Sequence, residues 1–105
     1  MLYRYELIKQ EHRIGILAGL DDFFNDSEII SLSWVFERDL PDPCISMSNT
    51  ESYFTEKGNR KFKKGIRRIQ KLAESKGIKF SSIVVNEHDL NDVLYSDDYQ
   101  VIILK

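Results

Sequence analysis

The segment from Thr55 to Gly77 constrains the fold more than any other. Phe62, Ile66, Ile69, Leu72 and Ala73 recur there at three- and four-residue spacing, which places them on about one third of a helix circumference at ~100° per residue. Thr55 is a natural N-cap with Glu56 in the first turn, and Gly77 stands where a helix ends in the left-handed conformation. The pattern predicts a helix over about 55–76 that must lay its apolar stripe on a partner layer.

The rest of the chain supplies that layer. Residues 2–8 alternate with aromatic and β-branched types, placing Tyr3, Tyr5 and Leu7 on one face of a strand. A second short strand, about Arg13 to Leu17, pairs with it through the turn Gln10-Glu11-His12. A helix over Glu28–Arg38 follows, capped by Asp26 or Ser27, with Ile29, Leu32, Ser33 and Phe36 on its apolar stripe and Trp34 flanking it. The prolines in Leu40-Pro41-Asp42-Pro43 end that helix. A short strand near Ser52-Tyr53-Phe54 precedes the long helix. Beyond Gly77, Ile78–Val85 reads as a buried strand, His88–Tyr95 as a short helix carrying Leu90, Val93 and Leu94, and Tyr99–Leu104 as a terminal strand. The expected fold is α+β in one domain spanning residues 1–105. It has a mixed sheet of four or five strands, two main helices on one face, a short third helix, and a C-terminal β-α-β unit with a right-handed crossover.

Charge is unevenly distributed. The whole chain carries a formal charge of -2, yet residues 55–76 hold nine basic and two acidic side chains, leaving -9 for the remainder. Lys57, Arg60, Lys61, Lys64, Arg67, Arg68 and Lys71 fall on the solvent third of the helix. Like charges at i,i+3 and i,i+4 repel by a few tenths of a kcal/mol per pair, where a face selected only for solubility would interleave glutamates. The stripe therefore points to an anionic partner, with nucleic-acid phosphates foremost and an acidic protein surface next. The competing reading is a solvated face compensated by the remaining acidic residues. A membrane surface is excluded as partner, because the helix needs its apolar side for the core.

Other chemistry is weakly encoded. The single cysteine, Cys44, forms no intramolecular disulfide and holds no metal alone. It reads as a structural or inert loop thiol. His88 and Asp92 share a helix face at i,i+4, but two ligands do not make a site, and Asn86 or Asp89 reads as a cap. His12 reads as an exposed turn residue. Strand tyrosines such as Tyr3, Tyr5, Tyr53 and Tyr99 are explained by cross-strand packing as well as by base stacking. The acidic clusters Asp21-Asp22, Glu87–Asp92 and Asp97-Asp98 would have to converge to serve a Mg²⁺-dependent nuclease. The order Arg4, Ser52-Tyr53-Phe54-Thr55, Asp98-Tyr99-Gln100 loosely resembles the motif order of ADP-ribosyltransferases, with Asp98 or Gln100 where those enzymes carry a catalytic Glu. The chain is shorter than that fold usually needs.

The expectation is a small binding or regulatory domain rather than an enzyme, without cofactor or metal, that engages an anionic partner through the seven basic residues named above. An adaptor or inhibitor binding protein through acidic surface is the alternative, and a small enzyme of the two classes just described comes third. No apolar run approaches the ~20 residues of a membrane span, and MLYRYELIKQ lacks a signal-peptide core, so a cytoplasmic location is expected. Many Ile, Lys, Asn and Asp with two Ala suggest an AT-rich bacterial or phage source.

Overall fold

A computed structural model describes all residues except Met47, and it describes no side chain at 33–35, 37 and 38, so the placement expected for Ser33 and Trp34 lies outside the described residues. The sheet is assembled on β1 (Leu2–Lys9). Gln10 takes a positive φ of 55°, turning the chain into β2 (His12–Gly15), which pairs antiparallel with Glu6–Lys9. The opposite edge of β1 pairs over Leu2–Ile8 with β4 (Lys79–Val85). β3 (Thr50–Phe54) meets β1 only at Tyr3↔Phe54, on the edge β2 occupies, and continues the sheet through β6 (Gln100–Leu104) to β5 (Val93–Ser96). All five pairings are antiparallel.

This corrects the expected C-terminal β-α-β unit and the mixed sheet of four or five strands. Among the described residues there are six strands, and β4 and β6 are not neighbours. The segment expected as a third helix over His88–Tyr95 is a single 3-10 turn at Glu87–Asp89, followed by Asp92 at a φ of 58°, and then the strand β5, which forms a hairpin with β6. Asn86 caps the turn, accepting from His88 N at 3.0 Å, as one of the two expected caps. β4 was expected to be buried; it is an edge strand whose residues are exposed or half-buried.

The helices pack on the face carrying Tyr3, Tyr5 and Leu7. An extra short helix, α1 (Leu20–Phe23), precedes α2 (Asp26–Asp39). The cap of α2 is Asn25 rather than Asp26 or Ser27: Asn25 and Glu28 form a reciprocal capping box, with both hydrogen bonds at 2.9 Å. Leu32 and Phe36 of α2 join Phe62, Ile66, Ile69 and Ala73 of the basic segment over Leu7 and Phe54, forming the main core. A smaller cluster on the opposite sheet face holds Leu2, Tyr53 and Ile103 under Leu90 and Val85. No helix among the described residues is long and apolar enough to cross a membrane.

Candidate nucleic-acid interface

The basic segment forms two helices, α3 (Glu56–Lys61) and α4 (Lys63–Ser75), instead of the one expected. The cause is Phe62. Its ring is fully buried, 5.2 Å from Phe36, 5.9 Å from Phe54 and 5.8 Å from Tyr99 between centroids, and its backbone sits at φ -99°, ψ 12°. The hydrogen bonds Phe62 N to Gly58 O and Ile66 N to Phe62 O, both 2.9 Å, carry the helical register across the joint. The two helices therefore share one solvent face.

Both ends of this unit are fastened. Thr55 caps α3 as expected, accepting from Gly58 N at 3.0 Å, while its own Oγ1 donates to Asp98 O at 2.6 Å and its N to Tyr99 O at 3.0 Å. Gly58 lets the α3 backbone lie directly on Tyr99: a Cβ there would stand 2.9 Å from the Tyr99 carbonyl carbon. At the far end, Gly77 adopts a φ of 75°, with Ile78 N bonded to Ala73 O at 2.9 Å and Gly77 N to Glu74 O at 3.1 Å. That is a Schellman close, and it buries Ile78 as its hydrophobic contact.

Lys57, Arg60, Lys61, Lys64, Arg67, Arg68 and Lys71 are all exposed. From Lys57 to Lys71 the stripe spans about 21 Å at 1.5 Å per residue. Compensation touches only its N-terminal end. Lys57 Nζ lies 3.5 Å from Asp98 Oδ2, and the ammonium groups of Lys57 and Lys61 stand 5.5 and 5.4 Å from the centroid of the Tyr99 ring. Arg60, Lys64, Arg67, Arg68 and Lys71 have no ion-pair partner among the described residues. Lys76, beyond the stripe, pairs with Glu28 at 3.0 Å; the hydrogen bond from the Asn25 backbone amide, helped by Lys76, holds the Glu28 carboxyl below the usual range. Local ion pairing thus leaves the central cations unneutralised.

Of the remaining candidates, Asp98 meets the stripe at Lys57 and His12 meets Asp22, and neither contact assembles a larger cluster among the described residues. Among the described residues no group of three or more His, Cys, Asp or Glu is placed to hold a metal ion. Cys44 is an exposed loop thiol at a φ of 53°. His12 is exposed and lies 3.1 Å from Asp22 Oδ2.

The positions that carry the ADP-ribosyltransferase-like order behave differently. Arg4, Ser52 and Gln100 line one cleft of about 360 Å³ between β2 and β3, while Asp98 is exposed and paired with Lys57. Sequence reasoning missed the charge cluster beside this cleft. Glu6, only 5% exposed, accepts from Arg4 Nε at 2.9 Å, and its Oε1 lies 3.1 Å from Arg13 Nη1 without an aligned hydrogen bond. The signal was available: a hairpin turning at Gln10-Glu11 places Arg13 opposite Ile8, on the same sheet face as Glu6 and Arg4. No protein-family model, curated protein or solved structure matches this chain.

Proposed function

We propose that this protein is a small binding or regulatory domain that docks on nucleic-acid phosphates through the solvent face of α3 and α4. The supporting observation is the row of five exposed cations, Arg60, Lys64, Arg67, Arg68 and Lys71, that the chain leaves without ion-pair partners among the described residues. Their mutual repulsion is relieved by phosphates, and the arginines add forked donors that fit a phosphate's oxygens. The opposite side of the unit is committed to the core through Phe62, Ile66 and Ile69, so partner binding requires no rearrangement of the fold.

The test is salt-dependent. Affinity for DNA or RNA falls log-linearly with salt, with a slope of about -0.7 to -0.9 per phosphate neutralised, and the triple variant Lys64→Gln, Arg67→Gln, Lys71→Gln flattens the slope while leaving the melting temperature equal or slightly raised. If the folded wild type retards neither DNA nor RNA at ~100 mM salt, the reading fails. A nuclease-resistant partner captured by the same face would then assign the stripe to an acidic protein surface.

One observation favours a second reading, an ADP-ribosyltransferase-like domain: Arg4, Ser52 and Gln100, far apart in sequence, meet in one cleft. An amide stands where that chemistry calls for a carboxylate. An assay for ADP-ribosyl transfer that stays blank removes the enzyme and leaves the cleft to binding.

A further inference from the structure

The cleft between β2 and β3 is a defect in the sheet. β1 is paired along nearly all its length with β4, but on its other edge β2 takes Glu6–Lys9 with one further bond from Ile16 N to Tyr5 O at 3.1 Å, β3 touches only Tyr3, and the two diverge from there. The carbonyl of Ser52, which a neighbouring strand would ordinarily engage, accepts instead from Arg4 Nη1 at 3.1 Å. A side chain thus replaces a strand, and it is held rigidly. Arg4 is fixed on its other side by Glu6, its side chain is 12% exposed, and Gly15 makes room for it, since a Cβ at that position would stand 3.2 Å from Nη1. Arg4 Nη2 has no acceptor among the described residues.

The wall opposite is preformed. The strap Leu40–Pro43 is tied down by Gln100, whose Nε2 donates to Pro41 O at 2.7 Å, and its two prolines present no backbone donors. Ile14 and Leu17 complete an apolar lining. The charged side chains lining the opening are Arg4, Arg13 and Lys105 against Asp42, with Glu6 beneath Arg4 and Arg13. About 360 Å³ is at the small end of ligand-binding cavities.

We propose that this wedge binds a small carboxylic acid with an aliphatic or aromatic body. The carboxylate takes the free donor of Arg4 together with Arg13 and Lys105, and the body lies between Ile14, Leu17 and the proline strap. The site is separate from the stripe on α3 and α4, and the proposal stands whether or not that stripe binds nucleic acid.

Titration of the labelled protein with hexanoate and with 1-hexanol, followed by amide chemical shifts, tests it. Hexanoate is expected to give saturable shifts at Gly15, Ser52 and Gln100, with 1-hexanol binding at least about tenfold more weakly. Lys105→Gln and Arg13→Gln should each weaken hexanoate and leave 1-hexanol unchanged. Ala18→Phe, at an exposed position lining the opening, should abolish hexanoate binding without lowering the melting temperature. The proposal is overturned by hexanoate shifts that stay linear to ~10 mM, by equal binding of the two probes, by shifts confined to Lys64–Lys71, or by an Ala18→Phe variant that folds and still binds.

Discussion

Gly58→Ala isolates what holds the basic unit against the sheet. The α3 backbone rests on Tyr99 with no space for a methyl group, which would stand 2.9 Å from the Tyr99 carbonyl carbon and 3.0 Å from its Cα. Both neighbours are backbone atoms and cannot rotate away. Carbon atoms pack at about 3.5–4.0 Å, so the helix and the β5–β6 turn must part by roughly 1 Å. Two hydrogen bonds span that contact, Thr55 N to Tyr99 O and Thr55 Oγ1 to Asp98 O. At about 1 kcal/mol each, losing both costs ~2 kcal/mol. Disturbing the edge-on contact of Tyr99 with Phe62 adds about 0.5–1.5 kcal/mol.

Against this, alanine is a better helix former than glycine by roughly 0.5–1 kcal/mol. The net expectation is a destabilisation of about 1.5–3 kcal/mol, or a melting temperature lower by roughly 10 °C for a domain of this size. Thermal unfolding by circular dichroism reads the loss, and hydrogen exchange at the Thr55 amide reads its location. An unchanged melting temperature with full protection of that amide would refute the reasoning. The same separation takes Lys57 and Lys61 away from the Tyr99 ring, so it would also disturb the proposed binding face.

Three further outcomes are expected. Gly77→Val, at a φ of 75° with open space around it, should cost about 1–2 kcal/mol through backbone strain alone, measured by denaturant unfolding. Cys44→Ser and His88→Gln should leave nucleic-acid binding unchanged, and a chelator should not move the melting temperature; a chelator-sensitive melt would indicate a metal the structure gives no cluster for. For Asp97, burial pushes the carboxyl up, but hydrogen bonds from Tyr95 Oη, Tyr99 N and Gln100 outweigh it and the pKa is lowered. A carboxyl depressed in the folded state stabilises above its unfolded pKa and loses that contribution as pH falls through the folded value. Asp97→Asn should therefore melt below wild type near pH 7, and the gap should narrow toward about pH 3.

Elements defined by local chemistry were legible. Alternation located β1, the apolar stripe located α4 and its face, and Thr55 and Gly77 marked caps that the structure contains. What failed depends on partners distant in sequence. Leu90, Val93 and Leu94 fit helical spacing over one turn, but Val93 and Tyr95 also alternate as a strand, and the hairpin with β6 decides in favour of the strand. The segment Ile78–Val85 reads as a buried strand, yet its rank in the sheet is set by β1, which leaves it at an edge. The break after Lys61 comes from three aromatic rings gripping Phe62, none of them within 20 residues of it except Phe54. For the candidate stripe, helical spacing alone placed all seven cations on the solvent side. Whether acids elsewhere neutralised them was a question of tertiary distance.

Two features run against what stability alone would select, and both lie on otherwise well-determined elements. On α4, unpaired cations repel across a helix whose other side is closed by Phe62, Ile66, Ile69 and a Schellman stop. On β1, an interior strand changes partners between Tyr3 and Tyr5 on one edge and spends an arginine and a glycine to keep the opening there. Natural sequences are locally consistent except where function asks otherwise. The core surrounding each feature is aromatic-rich and well buried, with Phe36, Phe54 and Phe62 in mutual contact, so neither anomaly is a sign of a poorly specified fold. Each is a local cost on a well-packed support, the arrangement that the two proposed binding roles would require: the support would keep cations and cleft in place before a ligand arrives, and the ligand would supply the interaction the isolated chain lacks.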